Sequence, residues 1–363
     1  MRIALIHYTA PPVIGGVERI LSEQASLFGK HGHSVHVICG NTAQILTELQ
    51  AIHPTCDIII VHNVFTMPFD LELTRSLRDL AQKSSARWFN WVHDVAALNP
   101  HYAHLPWEKP EYQMLRQAPP NCTHVAVSDV RQLQYHSVTK IPCEQIQIVP
   151  NGVDVQKILG LTDRVNDWVC KYQLWERDFV LIHPTRLVRR KNLELGLQVT
   201  AALSHHYQLK VAYLVTGAPD PHNADSVRYG SELRQLISKL QLNNSAYFLG
   251  DRGPLSDDDV RSLYAVSDAL FFPSLSEGFG LPIVEAALHG LPVFCSDIPA
   301  HREIGQSVAN FFELDEDPGL IAFGISEHPA VTARYLRRSA LASWLDWDSI
   351  MQRHLLPLLQ PSS

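Results

Sequence analysis

The sequence predicts an α/β protein built from two doubly wound parallel-sheet domains, and three observations predict it. Short, almost continuously apolar runs alternate with helical or irregular segments, as buried parallel strands and their crossovers do. The alternation pauses near residue 155 and starts afresh at Phe179. Both halves contain a strand, a glycine turn and a helix in succession, at Gly15-Gly16 and at Glu277-Gly278-Phe279-Gly280. The chain has 363 residues, 46% hydrophobic and 18% charged, which suits about two domains, 1–155 and 156–345.

In chain order, residues 2–8 read as a buried first strand. Pro11-Pro12-Val13-Ile14-Gly15-Gly16 turns the chain into a helix on which Val17, Ile20, Leu21, Leu27 and Phe28 share one face. Such a loop brings backbone close to a ligand, and the helix N-terminus behind it favours an anion. Strands follow at 34–39, 57–62, 87–93, 123–127 and 145–149. The fourth of these six strands ends at His93-Asp94, the location of ligand-binding groups in open α/β sheets. Residues 98–120 lack periodicity and read as a loop-rich insertion, and Asn151-Gly152 is a turn before the boundary.

The second half opens with a strand at 179–184 and a basic loop, Thr185-Arg186-Leu187-Val188-Arg189-Arg190-Lys191-Asn192, before a helix from 193 to about 206. A strand at 210–217 ends in Thr216-Gly217, and another ends at Leu249-Gly250-Asp251-Arg252. Ser256 caps a helix, with Asp259 completing a capping-box pattern. An apolar run from Ala269 to Phe272 is closed by Pro273. After Gly280 a helix starts near Leu281, with Pro282 in its first turn, and stops at His289-Gly290. Its N-terminus favours a phosphate, and the Glu285 carboxylate lies at the mouth of the same site. Tryptophans and leucines at helical spacing from Trp344 to Leu359 read as a core-packing helix.

Composition narrows the partners. A formal net charge of −7 argues against a nucleic-acid backbone. The N-terminal apolar run is too short for a signal peptide, and no run approaches the roughly 18 apolar residues that span a bilayer, so a cytoplasmic protein is expected. Six scattered cysteines without a Cys-x-x-Cys pair are read as buried thiols. Three acidic runs match an Asp-x-Asp metal pair in form: 257–259, 315–317 and 346–348. Each has a local role as helix cap, turn or helix start, so no metal ligand and no cofactor are expected.

The string from Glu277 to Glu285 resembles the Glu-x7-Glu signature of the retaining glycosyltransferases of family 4. Pro-Pro-x-x-Gly-Gly-x-Glu in the first loop and the spacing of Arg186 and Lys191 are similar to further landmarks of that family. The resemblance implies the GT-B fold, two Rossmann-like domains facing a central cleft, with a C-terminal helix, 346–363, returning to the N-terminal domain. It implies sugar contacts for Glu277 and His93, diphosphate contacts for Arg186 and Lys191, and ribose contact for Glu285. Backbone of Gly278, Phe279, Gly280 and Leu281 would hold the diphosphate, Gly15 and Gly16 would face phosphate and acceptor, and Gly217, Leu249 and Arg252 would lie near the nucleotide.

The chain departs from the family pattern at Thr185 and Ala218, where relatives often carry glycine. The implied activity is metal-independent, retaining hexosyl transfer from a UDP- or GDP-sugar to an acceptor hydroxyl. A non-catalytic nucleotide-sugar-binding or scaffold protein on the same frame is the alternative, and a phosphorylase-like or epimerase relative is a further one. Residues 1–155 hold 11 Lys and Arg against 13 Asp and Glu, which disfavours docking on anionic lipid while leaving peripheral membrane contact open. Base, hexose, oligomeric state and acceptor (a sugar, a small metabolite or a polysaccharide) are left open by the sequence.

Overall fold

The structure is a computed structural model that describes the chain except residues 220, 221, 223, 339–342 and 361–363. The last three belong to the expected 346–363 segment and so lie outside the described residues. The chain divides into two units: Met1–Asp154 with Leu345–Ser363, and Val155–Trp344.

The first unit is one parallel sheet of six strands: β1 (Arg2–Ile6), β2 (Ser34–Ile38), β3 (Ile58–His62), β4 (Arg87–Val92), β5 (Cys122–Ala126) and β6 (Ile146–Ile148). Their order is β2-β1-β3-β4-β5-β6. Side chains alternate between the faces of the sheet, and each face has its own core. Ile3, Leu5, Ile58 and Ile60 pack with Leu21 and Phe28 of the helix Gly16–Lys30 on one side. Ala4, Ile6, Ile59 and Val61 pack with Leu49 and Leu77 on the other. Two covered faces explain why β3 reads as an unbroken Ile-Ile-Ile-Val run instead of an alternating one.

The C-terminal stretch is helical without a break over 347–359, in three successive segments: α-helical Trp347–Ile350, π-helical Met351–Leu355 and α-helical Leu356–Leu359. Asp346 caps the first of them, and Pro357 lies in the last. Trp347 is buried, its Nε1 donating to Glu23 at 2.7 Å, whereas Trp344 is exposed and takes no part in the core expected of it. A Cβ on Gly152 would overlap the Trp347 indole, so this glycine admits a ring as well as making a turn.

The second unit holds β7 (Phe179–His183), β8 (Val211–Val215), β9 (Ala246–Phe248), β10 (Ala269–Phe272), β11 (Val293–Ser296) and β12 (Ala309–Phe312), all parallel. Their order is β12-β11-β10-β7-β8-β9, which reverses direction between β7 and β10. In the first unit the reversal lies between β1 and β3. Ligands of open α/β sheets bind beyond the carboxyl ends of strands at such points.

Two α/β units with parallel sheets are as the sequence predicts. β12 was not among the expected strands, because Ala-Asn-Phe-Phe is short and interrupted by a polar residue. The 98–120 insertion contains brief helical turns, at Pro100–Tyr102, Pro110–Gln113 and Met114–Arg116. The cysteine expectation needs correction: Cys56 and Cys295 are buried, Cys39, Cys122 and Cys143 are half-buried, and Cys170 is exposed. Among the described residues no helix is long and apolar enough to cross a membrane.

Candidate active site

In the second unit the loops after β7, β8 and β9 pack backbone against backbone. A Cβ on Gly217 would overlap the Thr185 carbonyl oxygen and Arg186 Cα, and one on Gly250 would overlap Gly217 and Ala218. Over these loops lies a cavity of about 1130 Å³, lined in part by Arg186, Gly217, Gly250, Tyr264, Leu281 and Glu285. Leu249 and Arg252 do not line it; Gly250 and Asp251 do. The Leu249 side chain is buried in the core, and the Arg252 carbonyl accepts from Arg164 at 3.1 Å.

The basic loop sorts its cations. Arg189 pairs with Glu232 at 2.9 Å, Arg190 with Glu277 at 3.1 Å, and Lys191 with the other oxygen of Glu277. Arg186 is exposed toward the cavity and has no carboxylate partner among the described residues. The Leu275 N–H donates to the Arg190 carbonyl at 2.7 Å and ties this loop to the one after β10.

Lys191 and Glu277 side chains are only 12% and 8% exposed. Burial pulls the Lys191 ammonium below its ordinary pKa, Arg190 and Arg186 add to this, and the Glu277 contact only partly offsets it. Burial alone would raise the Glu277 carboxyl, but its cationic partners outweigh it and hold the group below the usual range.

Gly280 has φ +100°, a left-handed conformation that favours glycine, and it caps the helix Leu281–Leu288 without a side-chain hydrogen bond. No side chain therefore occupies the cap position at this helix start, which suits a phosphate. A Cβ on Gly278 would meet nothing within 4 Å, and Phe279 and Leu281 are exposed. Glu285 follows within the helix, and its Oε2 accepts from the Tyr264 hydroxyl at 2.8 Å. Tyr264 stacks on His289, with ring centroids 5.3 Å apart. Burial, then the Glu285 carboxylate, raises the Tyr264 pKa, so the hydroxyl stays protonated and donates.

In the first unit His93 follows β4. Asn63, at φ +61°, accepts the N–H of His93 at 2.8 Å and of Asp94 at 3.1 Å on its side-chain oxygen. Arg131 Nε donates to the His93 carbonyl at 2.9 Å and its guanidinium lies 3.4 Å from Asp94. His62 Nδ1 is 3.0 Å from His93 Nε2, and His7 Nδ1 donates to the His62 carbonyl at 2.9 Å. Burial, then repulsion from His7, lowers the His93 pKa to about 3.

Gly15 precedes the first helix as its cap, and a Cβ there would overlap the Glu18 carboxylate; Gly16 has open space. Glu18 accepts from Thr9 at 2.5 Å and approaches His7 Nε2 at 3.9 Å.

In the second unit predicted residues gather at the strand-order reversal, whereas in the first Gly15 and Gly16 follow β1 and His93 follows β4, one strand beyond the reversal. In the second, Arg186, Gly217, Leu281 and Glu285 share the cavity, and Lys191 joins Glu277 beside Arg190. Sequence reasoning missed Tyr264, Gly250, His62 and Glu18. Glu18 had a signal in the Gly-Gly-x-Glu string, and Gly250 in following a strand. Tyr264 and His62 sit in apolar contexts that read as core. Asp259 completes the capping box of Ser256 and Asp317 caps a helix, and among the described residues no three or more His, Cys, Asp or Glu side chains group to hold a metal ion.

Residues 167–312 match the model of a family described as glycosyl transferases group 1. That stretch contains Arg186, Lys191, Gly217, Glu277 and Glu285. The chain is similar to the serotype-specific mannosyltransferase WbdA of Escherichia coli, 39% identical over 143 residues, 38% of this chain and 17% of the relative. It is also similar to the O-antigen chain mannosyltransferase RfbU of Salmonella typhimurium, 24% identical over 56% of this chain and 50% of the relative. The chain therefore spans between a sixth and a half of the length of these relatives. Among solved structures, a sucrose-phosphate synthase from Thermosynechococcus elongatus aligns over 98% of both chains with 15% identity and a TM-score of 0.39.

Proposed function

We propose that the chain is a glycosyltransferase that moves a hexosyl group, with retention, from a nucleotide-diphosphate sugar to an acceptor hydroxyl. The observation that carries this reading is Arg186: an exposed guanidinium without a carboxylate partner among the described residues, in the cavity that also holds Glu285 and the start of the helix at Leu281. A cation, an uncapped helix N-terminus and a carboxylate suit, in turn, a diphosphate, its second phosphate and a ribose diol. The family match over this stretch and the names of the mannosyltransferase relatives support sugar transfer.

In this reading the leaving diphosphate gains charge as the glycosidic bond breaks, and Arg186, Lys191 and the helix N-terminus stabilise it. Glu277 orients the hexose, and Tyr264 holds Glu285 toward the ribose. His93 presents a neutral nitrogen to a sugar hydroxyl. The acceptor hydroxyl attacks from the face the phosphate leaves, and the phosphate takes its proton. The chain's own cations carry the charge stabilisation, so the proposal includes no metal.

Calorimetric titration with UDP and with GDP, each with and without a chelator, tests the donor site. One nucleotide should bind regardless of chelation, and Arg186→Ala should weaken it about tenfold, the worth of one charge-assisted hydrogen bond. Binding of neither would refute the reading. Binding without turnover of any sugar nucleotide would favour a non-catalytic sugar-nucleotide binder. The anomeric configuration of the product, read by NMR, tests retention.

A further inference from the structure

Three aromatic rings meet edge to face at the carboxyl end of the first unit's sheet. Phe69 lies between Tyr8 and Tyr102, with centroids at 5.3 and 6.2 Å and interplanar angles of 73° and 68°. They come from the loops after β3, β1 and β4. Phe69 is 59% exposed although two rings brace it.

The arrangement is built. The Tyr8 hydroxyl lies 3.3 Å from the carbonyl oxygens of both Val64 and Met67 and so fastens the loop that carries Phe69. That loop begins at Asn63, whose side chain holds the His93 and Asp94 amides. Tyr8 also packs on His7, at 5.4 Å, and His7 reaches His93 through His62. On the other side His101 packs edge-on to Tyr102, and Asn99 accepts the His101 N–H at 3.0 Å while its amide donates to Asp94 at 3.3 Å. Two independent routes therefore join the rings to the loop of His93.

We propose that Tyr8, Phe69 and Tyr102 form the binding platform for a pyranose ring of the acceptor, which makes the acceptor a glycoside. This rests on the sugar-transfer reading. A pyranose has an apolar C–H face and a rim of hydroxyls. An exposed aromatic surface takes the first, and the polar groups of His101, Asn99 and Asp94 take the second. An anionic lipid surface fits less well, because residues 1–155 hold 11 basic against 13 acidic side chains.

Saturation-transfer NMR on the full chain tests this directly, using the methyl glycosides of mannose, glucose, galactose and N-acetylglucosamine at millimolar concentration. At least one should show saturation concentrated on its ring C–H protons. Phe69→Ala and Tyr102→Ala should each weaken it about tenfold, whereas Phe69→Trp should retain it. UDP and GDP titration of each variant reports separately on the donor site and should match the unsubstituted chain. Absence of saturation from every glycoside would overturn the proposal, as would saturation indifferent to both alanine variants. Loss of binding to anionic vesicles on Phe69→Ala, without glycoside binding, would assign the platform to lipid instead. Failure of nucleotide binding alone would count against the donor site and leave the glycoside result standing.

Discussion

His62 places its Nδ1 3.0 Å from Nε2 of His93, with the two rings stacked 5.3 Å apart. One proton serves that contact, so the tautomer of His62 decides whether the outer nitrogen of His93 presents a donor or an acceptor. The His7 N–H on the His62 carbonyl fixes the backbone behind it. A histidine at the end of β3 thereby orients the one at the end of β4.

His93 should stay neutral across the physiological range. Burial lowers its pKa to about 3 and holds His62 well below the ordinary value. The unfolded chain takes up these protons near pH 6.5 and the folded chain only near 3 for His93. Its contribution to stability is therefore intact above about pH 6.5 and is lost as pH falls from there toward 3. NMR titration should show no midpoint for His93 between pH 5 and 8. A His93 midpoint near 6.5 would contradict the burial argument.

Two glycines of the second unit should respond oppositely to alanine. Gly217→Ala drives a methyl into the Thr185 carbonyl and Arg186 Cα, both backbone, so the loops must part. A cost of about 2–3 kcal/mol is expected, with loss of nucleotide binding, by urea denaturation and calorimetry. Gly278→Ala meets open space and should change stability by less than about 0.5 kcal/mol. Equal costs would mean that the close packing of the loops does not shape the cavity.

The elements were legible wherever one local rule decided them. Ser256 and Asp259 form the capping box their spacing predicts, and Gly280 stands at the left-handed cap before Leu281. Pairings made across the fold were not legible. Nothing in the order of Lys191 and Glu277 says that they form an ion pair instead of acting apart, since 86 residues separate them and only the β7–β10 adjacency brings them together. The same holds for His62 with His93 and Tyr264 with Glu285. In these last two pairs one member, His62 or Tyr264, sat in an apolar context, where periodicity reports burial and is silent about partners.

A second buried ion pair, outside the site, should be costly to break from one side. Arg338 donates to Asp268 at 2.8 and 3.2 Å and to the Arg177 carbonyl at 2.7 Å, and Asp268 accepts the Val180 N–H at 2.8 Å. These side chains are 6% and 1% exposed. Arg338→Ala leaves the carboxylate of Asp268 buried without its cation and should cost about 3 kcal/mol. The double variant with Asp268→Asn should recover part of that cost. Chemical denaturation of both variants checks it, and a cost below about 1 kcal/mol would show that solvent reaches Asp268.

The Lys191–Glu277 pair offers a test in which stability and function separate. Glu277 holds Lys191 on one oxygen and Arg190 on the other, inside a loop pair already tied by the Leu275 N–H. Removing Lys191 leaves a mostly buried carboxylate with one exposed cation; removing Glu277 leaves two cations beside Arg186. A double-mutant cycle of Lys191→Ala and Glu277→Gln should give a coupling of about 1–2 kcal/mol at pH 7. Because the folded carboxyl lies below its ordinary value, that coupling is present above the unfolded carboxylate pKa and disappears as pH falls through the folded one. Glu277→Gln keeps the shape and removes the charge, so nucleotide affinity should hold or rise as Lys191 is released toward phosphate, while turnover falls. A fall in nucleotide affinity equal to that of Lys191→Ala would mean that the carboxylate serves to position Lys191, and its assignment to the hexose would be withdrawn.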